Sequence, residues 1–397
     1  MSIGTPFHPR TAPRNRKQQW RDWAGYLAAS AYADHHDIEY AAIREAAALI
    51  DVSPLYKVRV SGPDAERLVD RVITRDATKI AVGQVVYTPW CDERGKVLDD
   101  GTVHRLGATE FRWTSAEPNV RWLTLNAAGL RVTIADESEA VAALAVQGPR
   151  SRAVLEAATG TSLADLRYFR RRPAVVAGVE IDVSRTGYTG DLGYELWIPS
   201  EAATAVWDAL VRAGEPFGLR PVGLAALDLA RLEAGFILLE VDYTSARHAE
   251  NAEQAYSPFE IGLGRLVRFD KADYVGRRAL LAEQRAGGPP RRLVGLRLDW
   301  AGIEAAYEAQ GLAPALSPVV DRSPRPVFGP GGRQIGRVTS LGWSPLLKAA
   351  IALASVPAEF DRPGRRVEVE WSVEGRRGRV GATVTALPFL DLERRRG

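Results

Sequence analysis

The stretch Arg185–Pro199, RTGYTGDLGYELWIP, constrains the chain more than any other. It reads as a strand, a glycine-punctuated turn and a second strand. Gly187, Gly190 and Gly193 supply positions where positive φ or a close approach carries no steric cost. After the turn, Tyr194, Leu196 and Ile198 alternate onto one face and leave Glu195 beside Trp197 on the other. Such an edge is either a solvated hairpin or a binding edge for a flat ligand with paired N–H donors, because a carboxylate offers two acceptor oxygens.

The flanking sequence predicts an α+β chain. A strand at Lys57–Val60 runs through Ser61-Gly62-Pro63 into a helix over Asp64–Ile73, with Ser61 as its cap, and Ala145–Leu155 repeats the strand, Gly-Pro and helix. Between them, Val85–Trp113 reads as a meander turning at Glu93-Arg94-Gly95. Trp20–Ile50 is expected to be mostly helical, with Glu39–Leu49 the clearest segment. Helices follow at Ser200–Ala213 and Gly223–Ala234, then an aperiodic loop at Glu240–Tyr256. Ala286–Arg292 reads as a linker, and the short strands beyond it predict a small β-rich C-terminal domain.

Length and composition limit the function classes. At 397 residues, two or three domains are expected. No apolar run approaches the length of a membrane span, and a net charge of +3 does not suggest a nucleic-acid binder, so neither a membrane nor a nucleic acid is an expected partner. The single cysteine, Cys91, leaves no intrachain disulfide and no cysteine-cluster metal site, which suits a reducing cytoplasm. Five histidines show no ligand spacing, so no metal is expected. No glycine signature for a dinucleotide and no GxSxG elbow is present. The basic start, from Arg10 to Arg21, reads as an arm or a transit peptide, and Arg394–Arg396 as a solvated end.

One acidic pair stands out in Gly95–Gly101, GKVLDDG. If Val97 and Asp99 share a face, Asp100 points the other way, so one carboxylate is buried or faces a cleft and the other is solvated. The pair is either a turn-capping Asp-Gly or a carboxylate that orients or protonates an amine-bearing ligand.

Together these pieces resemble the aminomethyltransferase (glycine-cleavage T-protein) superfamily. The matches run in order: Ile50-Asp51-Val52-Ser53, Gly95–Asp100, Val146-Gln147-Gly148-Pro149, Thr186–Glu195, Arg231-Leu232-Glu233-Ala234-Gly235, Ser257-Pro258, and a C-terminal set of Val338-Thr339-Ser340, Ser344-Pro345 and Ile351-Ala352-Leu353. The resemblance implies a three-domain cloverleaf around a central tetrahydrofolate site, with a discontinuous first domain (1–58 and 147–240), a second (59–146 and 241–285) and a C-terminal domain (292–397). It implies that Asp99 is the catalytic carboxylate and that Glu195 grips the pterin. Tyr188 and Arg231 match folate-contacting positions, and Tyr87 and Trp90 lie in a strand whose family counterpart touches the pterin.

The donor side departs from the pattern. Ala116 stands where an asparagine is expected, and Leu239–Tyr243 with a longer loop containing His248 replaces a Tyr-Gly and a short acidic loop. The resemblance therefore leans toward folate-dependent demethylases, which take methyl groups from small sulfonium or aryl methyl ether compounds. The alternatives are a T-protein acting on a lipoyl carrier protein, a non-catalytic folate binder, and a chain acting beside a separate flavoprotein.

Overall fold

The computed structural model describes residues 2–396. The chain forms three larger β-structures and a small three-stranded sheet, and the buried Leu224–Glu233 helix packs between the six-stranded sheet and the barrel. A six-stranded sheet has the order 171–176, 179–184, 193–199, 141–147, 47–51 and 219–221, antiparallel except for the last pair. A five-stranded antiparallel sheet has the order 85–91, 97–107, 110–115, 56–61 and 133–136. A closed six-stranded barrel spans residues 291–385. The α+β class and the β-rich C-terminal unit agree with the sequence.

Several local expectations change. Strands at Trp20–Trp23 and Tyr26–Ala29 replace the first part of the expected helix, because Ala24-Gly25 takes two positive-φ residues and closes a tight turn. The helix runs only over His36–Glu45, and Ala47–Asp51 is a buried strand. Each sheet takes its strands whole: Tyr56–Ser61 pairs in the five-stranded sheet and Val141–Gln147 in the six-stranded one. The expected boundaries at 58/59 and 146/147 fall inside these two strands. The helix after Ser61-Gly62-Pro63 begins at Ala65 behind Asp64, so Ser61 is not its cap.

The hairpin owes its shape to one side chain. Gln147 donates to the carbonyls of Thr186 and Tyr194, each at 3.2 Å, and accepts from Thr189 Oγ1 at 2.8 Å. A Cβ on Gly187 or Gly193 would lie 2.0 or 2.2 Å from Gln147 Oε1, and one on Gly190 would lie 2.5 Å from Ala234 Cβ. These glycines admit Gln147 and the Leu224–Glu233 helix. Tyr194, Leu196 and Ile198 enter the core beneath the Ser151–Thr159 and Ala203–Gly214 helices, as the alternation requires.

A buried charge network ties the six-stranded unit to the barrel. Arg44, Glu233 and Asp191 are buried together, with Tyr40 and barrel residue Ser344 also bonded to Glu233. Arg394 joins them by pairing with Asp191 at 2.7 Å, so this part of the tail is anchored rather than solvated. The basic start is likewise docked, through Arg10 to Asp208 at 2.8 Å.

Candidate active site

The face opposite the Tyr194–Ile198 core carries Glu195 and Trp197. It meets the polar face of the five-stranded sheet. Strand register puts Asp100, Thr102 and His104 on that polar face with Tyr87, Thr114 and Arg112, while Asp99, Val103, Trp90 and Trp113 turn into the core behind it. The faces touch where the His104 ring lies 5.1 Å from Trp197, edge-on, with Arg112 5.8 Å over the same indole.

Asp100 is the carboxylate of the pair that faces this junction. It is half-buried, and each oxygen accepts a tyrosine hydroxyl: Oδ2 from Tyr87 at 2.6 Å and Oδ1 from Tyr243. Burial raises the Asp100 carboxyl above its ordinary value, and the Tyr243 and Tyr87 hydroxyls offset only part of that rise. Tyr188 lies near enough to act electrostatically on Tyr87, and its ring stacks on Phe236 at 5.6 Å. The Tyr188 hydroxyl donates to the Ile237 carbonyl.

Glu195 is half-buried and, among the described residues, its carboxylate accepts one bond, from the Thr186 hydroxyl. Burial raises its carboxyl and Thr186 partly offsets this. A carboxylate has room for about four acceptor contacts. Glu195 therefore retains capacity for a donor pair arriving at the junction.

Three expected site residues have other work. Asp99 is fully buried on the core face; Oδ1 accepts from Asp100 N at 2.7 Å, and Oδ2 from Glu117 N at 3.1 Å and Asn119 Nδ2 at 3.4 Å. Burial first, and then the Asp100 charge, hold the Asp99 carboxyl well above the usual carboxylate range. Trp90 is fully buried, edge-on to Trp113 at 4.6 Å, with its indole N–H donated to Asn119 at 3.1 Å. Arg231 is buried and spends its donors on Asp228, Asp242, the Phe236 carbonyl and Ser340 of the barrel. Nor is Asp100 solvated, as the alternation had suggested for the second carboxylate.

Asp100 and Tyr243, which were not among the expected site residues, meet at this junction. The even positions Asp100, Thr102 and His104 are polar, whereas the odd ones lead to Val103. That phase is the signal separating the two aspartates. Tyr243 had no comparable signal, since it arrives on an aperiodic loop. This loop also brings His248 between Glu117 and Glu240, with ligand atoms of all three within 4.8 Å of one another. Arg247 pairs with Glu117 at 3.2 Å, and His248 Nδ1 lies 3.1 Å from Glu240, so these contacts fasten the loop.

The sequence matches the GCVT N-terminal domain family over residues 11–271 and the glycine cleavage T-protein C-terminal barrel domain over residues 291–391. The chain belongs to the aminomethyltransferase family. It is thus a folate-dependent transferase by family. It is 38% identical to an aminomethyltransferase of Moorella thermoacetica, covering 88% of each chain, and 37% identical to one of Streptomyces coelicolor, covering 94% of each. It is 35% identical to a trimethylamine-oxide aldolase of Ruegeria pomeroyi over its whole length, but spans only 48% of that protein. Among solved structures, the glycine cleavage aminomethyltransferase T of Bartonella henselae superposes with a TM-score of 0.83 at 26% identity, covering 98% of this chain and 99% of that one.

Proposed function

We propose that this aminomethyltransferase-family chain moves a one-carbon unit from a small methylated donor to tetrahydrofolate. Tetrahydrofolate supplies the nitrogens that accept the carbon. Its pterin carries adjacent ring N–H and amino donors, the complement of the under-used Glu195 carboxylate. Tyr188 and Phe236 offer ring surface to the folate, and Tyr87 lies on the same side of the junction.

Asp100, rather than Asp99, is the carboxylate we assign to the chemistry. The observation that carries this is its paired hydroxyl support on the face that meets Glu195's strand. Held ionised in a poorly hydrated junction, Asp100 orients and polarises the accepting amine and takes up its proton as the carbon is transferred. Asp99 fixes the peptide of Asp100 from behind.

A small donor is favoured over a protein-borne arm by the Glu240–Tyr256 loop. Ala246 N donates to the Val97 carbonyl at 2.8 Å and Ser245 Oγ to the Leu98 carbonyl, so this loop lies along the strand leading into Asp99-Asp100. The second reading, aminomethyl transfer from a lipoyl carrier, is supported by the similarity to the aminomethyltransferases of Moorella and Streptomyces. The test is to incubate the protein with tetrahydrofolate and either methylated sulfonium, ammonium and aryl ether compounds or lipoylated carrier with glycine-cleavage components. One-carbon folate formed only with a small donor supports the first reading. Product formed only with the carrier replaces it by the second.

A further inference from the structure

The segment that departs most from the family pattern reaches the working carboxylate. Of the two tyrosines on Asp100, Tyr87 belongs to the sheet and Tyr243 arrives on the Glu240–Tyr256 loop. That loop is fastened on both sides of its tyrosine. Upstream, Asp242 pairs with Arg231 at 2.6 Å and accepts from Thr339 and Ser340 of the barrel. Downstream, Arg247 donates to Asn119 and Glu117, and Asn119 in turn donates to Asp99. Tyr243 is fixed within a frame that also holds the backbone beneath Asp100.

We propose that Tyr243 is a positioning residue that keeps Asp100 ionised and aimed, so that the loop bordering the donor side also governs the carboxylate's protonation. The inference rests on the assignment of Asp100 made above. Its physical basis is that a hydroxyl donating to a carboxylate favours the charged form, the more so where water is scarce. The groups facing Asp100 are Asp99 from its own strand, Tyr87 from the neighbouring strand, Tyr243 from the loop and Tyr188 from the glycine turn. Arg265 acts on Tyr87, while Arg231 and Asp242 act on Tyr188. Among the described residues, the side-chain oxygens of Asp100 are bonded to hydroxyls and not to cations. Deleting one hydroxyl therefore removes a direct support.

The test is carbon NMR of full-length protein labelled at the aspartate carboxyl, with the Asp100 resonance identified by its loss in Asp100→Asn. In Tyr243→Phe its titration midpoint should rise by about one pH unit, a tenfold change in the ionisation constant. Arg247→Gln, which loosens the loop without touching Tyr243, should move it the same way by less. Thermal unfolding of each variant verifies that it is folded. An unchanged or lowered midpoint in folded Tyr243→Phe overturns the proposal; should that variant not fold, an unchanged midpoint in Arg247→Gln does so. One-carbon transfer by Asp100→Asn separates the two levels. Full activity there would bring down the Asp100 assignment and this inference with it, whereas an inactive Asp100→Asn with an unmoved midpoint would break the inference alone.

Discussion

Two kinds of buried charge coexist in this molecule, and they differ in what is left over. Arg231 and Glu233 sit two residues apart on one helix and are saturated: Arg231 by two carboxylates, a carbonyl and Ser340, Glu233 by Arg44, Tyr40 and Ser344. Asp100 and Glu195 sit on facing strands and, among the described residues, their carboxylates hold only hydroxyl partners. The first pair joins helix, hairpin and barrel. The second keeps acceptor capacity at the junction. A motif shared with a family can therefore mark either the frame of a site or its working groups, and bonding saturation distinguishes them.

The comparison can be broken by substitution. The largest effect is expected for Asp100→Asn, which should lower one-carbon transfer by about 10²–10⁴-fold with little change in thermal unfolding. Loss of stability with normal turnover would move Asp100 to the frame. Arg231→Ala should do the reverse, costing about 3–5 kcal/mol in denaturant unfolding by leaving Asp228 and Asp242 without their shared cation. Glu195→Gln should weaken tetrahydrofolate binding by about ten- to a hundredfold in calorimetry, the worth of about 1.5–3 kcal/mol in charge-assisted bonding. Unaltered affinity would remove Glu195 from the site.

The smallest effect concerns a buried charge of neither kind. Lys57 is fully buried and donates to the Ser53 carbonyl at 2.7 Å. Burial lowers its ammonium from 10.5 to about 8. Between those values the unfolded chain holds the proton more readily, so this group's contribution to stability rises with pH through that window. Lys57→Met should stabilise the protein by about 2 kcal/mol at neutral pH, with the gain fading as the medium approaches the ordinary lysine range. Equal midpoints for both proteins in neutral urea titrations would contradict this.

Much of the fold was legible because alternation and turn chemistry are local. Tyr194, Leu196 and Ile198 declared the buried side of their strand, and the Gly-Pro turns marked two strand-to-helix junctions. Trp20–Ala29 was not legible, since a short two-strand hairpin lacks a long periodic pattern and its turn uses Ala24 at positive φ. The buried barrel strand Ala349–Pro357 is apolar but for Ser355 and shows no alternation. In the proposed site, Glu195 and Tyr188 are expected from the sequence and lie at the junction. Asp100 required strand phase, and Tyr243 required tertiary structure, as it meets Asp100 from 143 positions away. Of the hairpin glycines, Gly187 and Gly193 make room for Gln147 and Gly190 for Ala234.

The central claim is that Asp100 and Glu195 together form the folate-facing surface while Asp99 belongs to the frame. A crystal structure with bound tetrahydrofolate tests it most directly. The account expects the pterin N–H and amino groups on Glu195 and a one-carbon-accepting nitrogen within hydrogen-bond reach of Asp100. A folate that leaves Asp100 out of reach, or contacts Asp99 in its place, would contradict it.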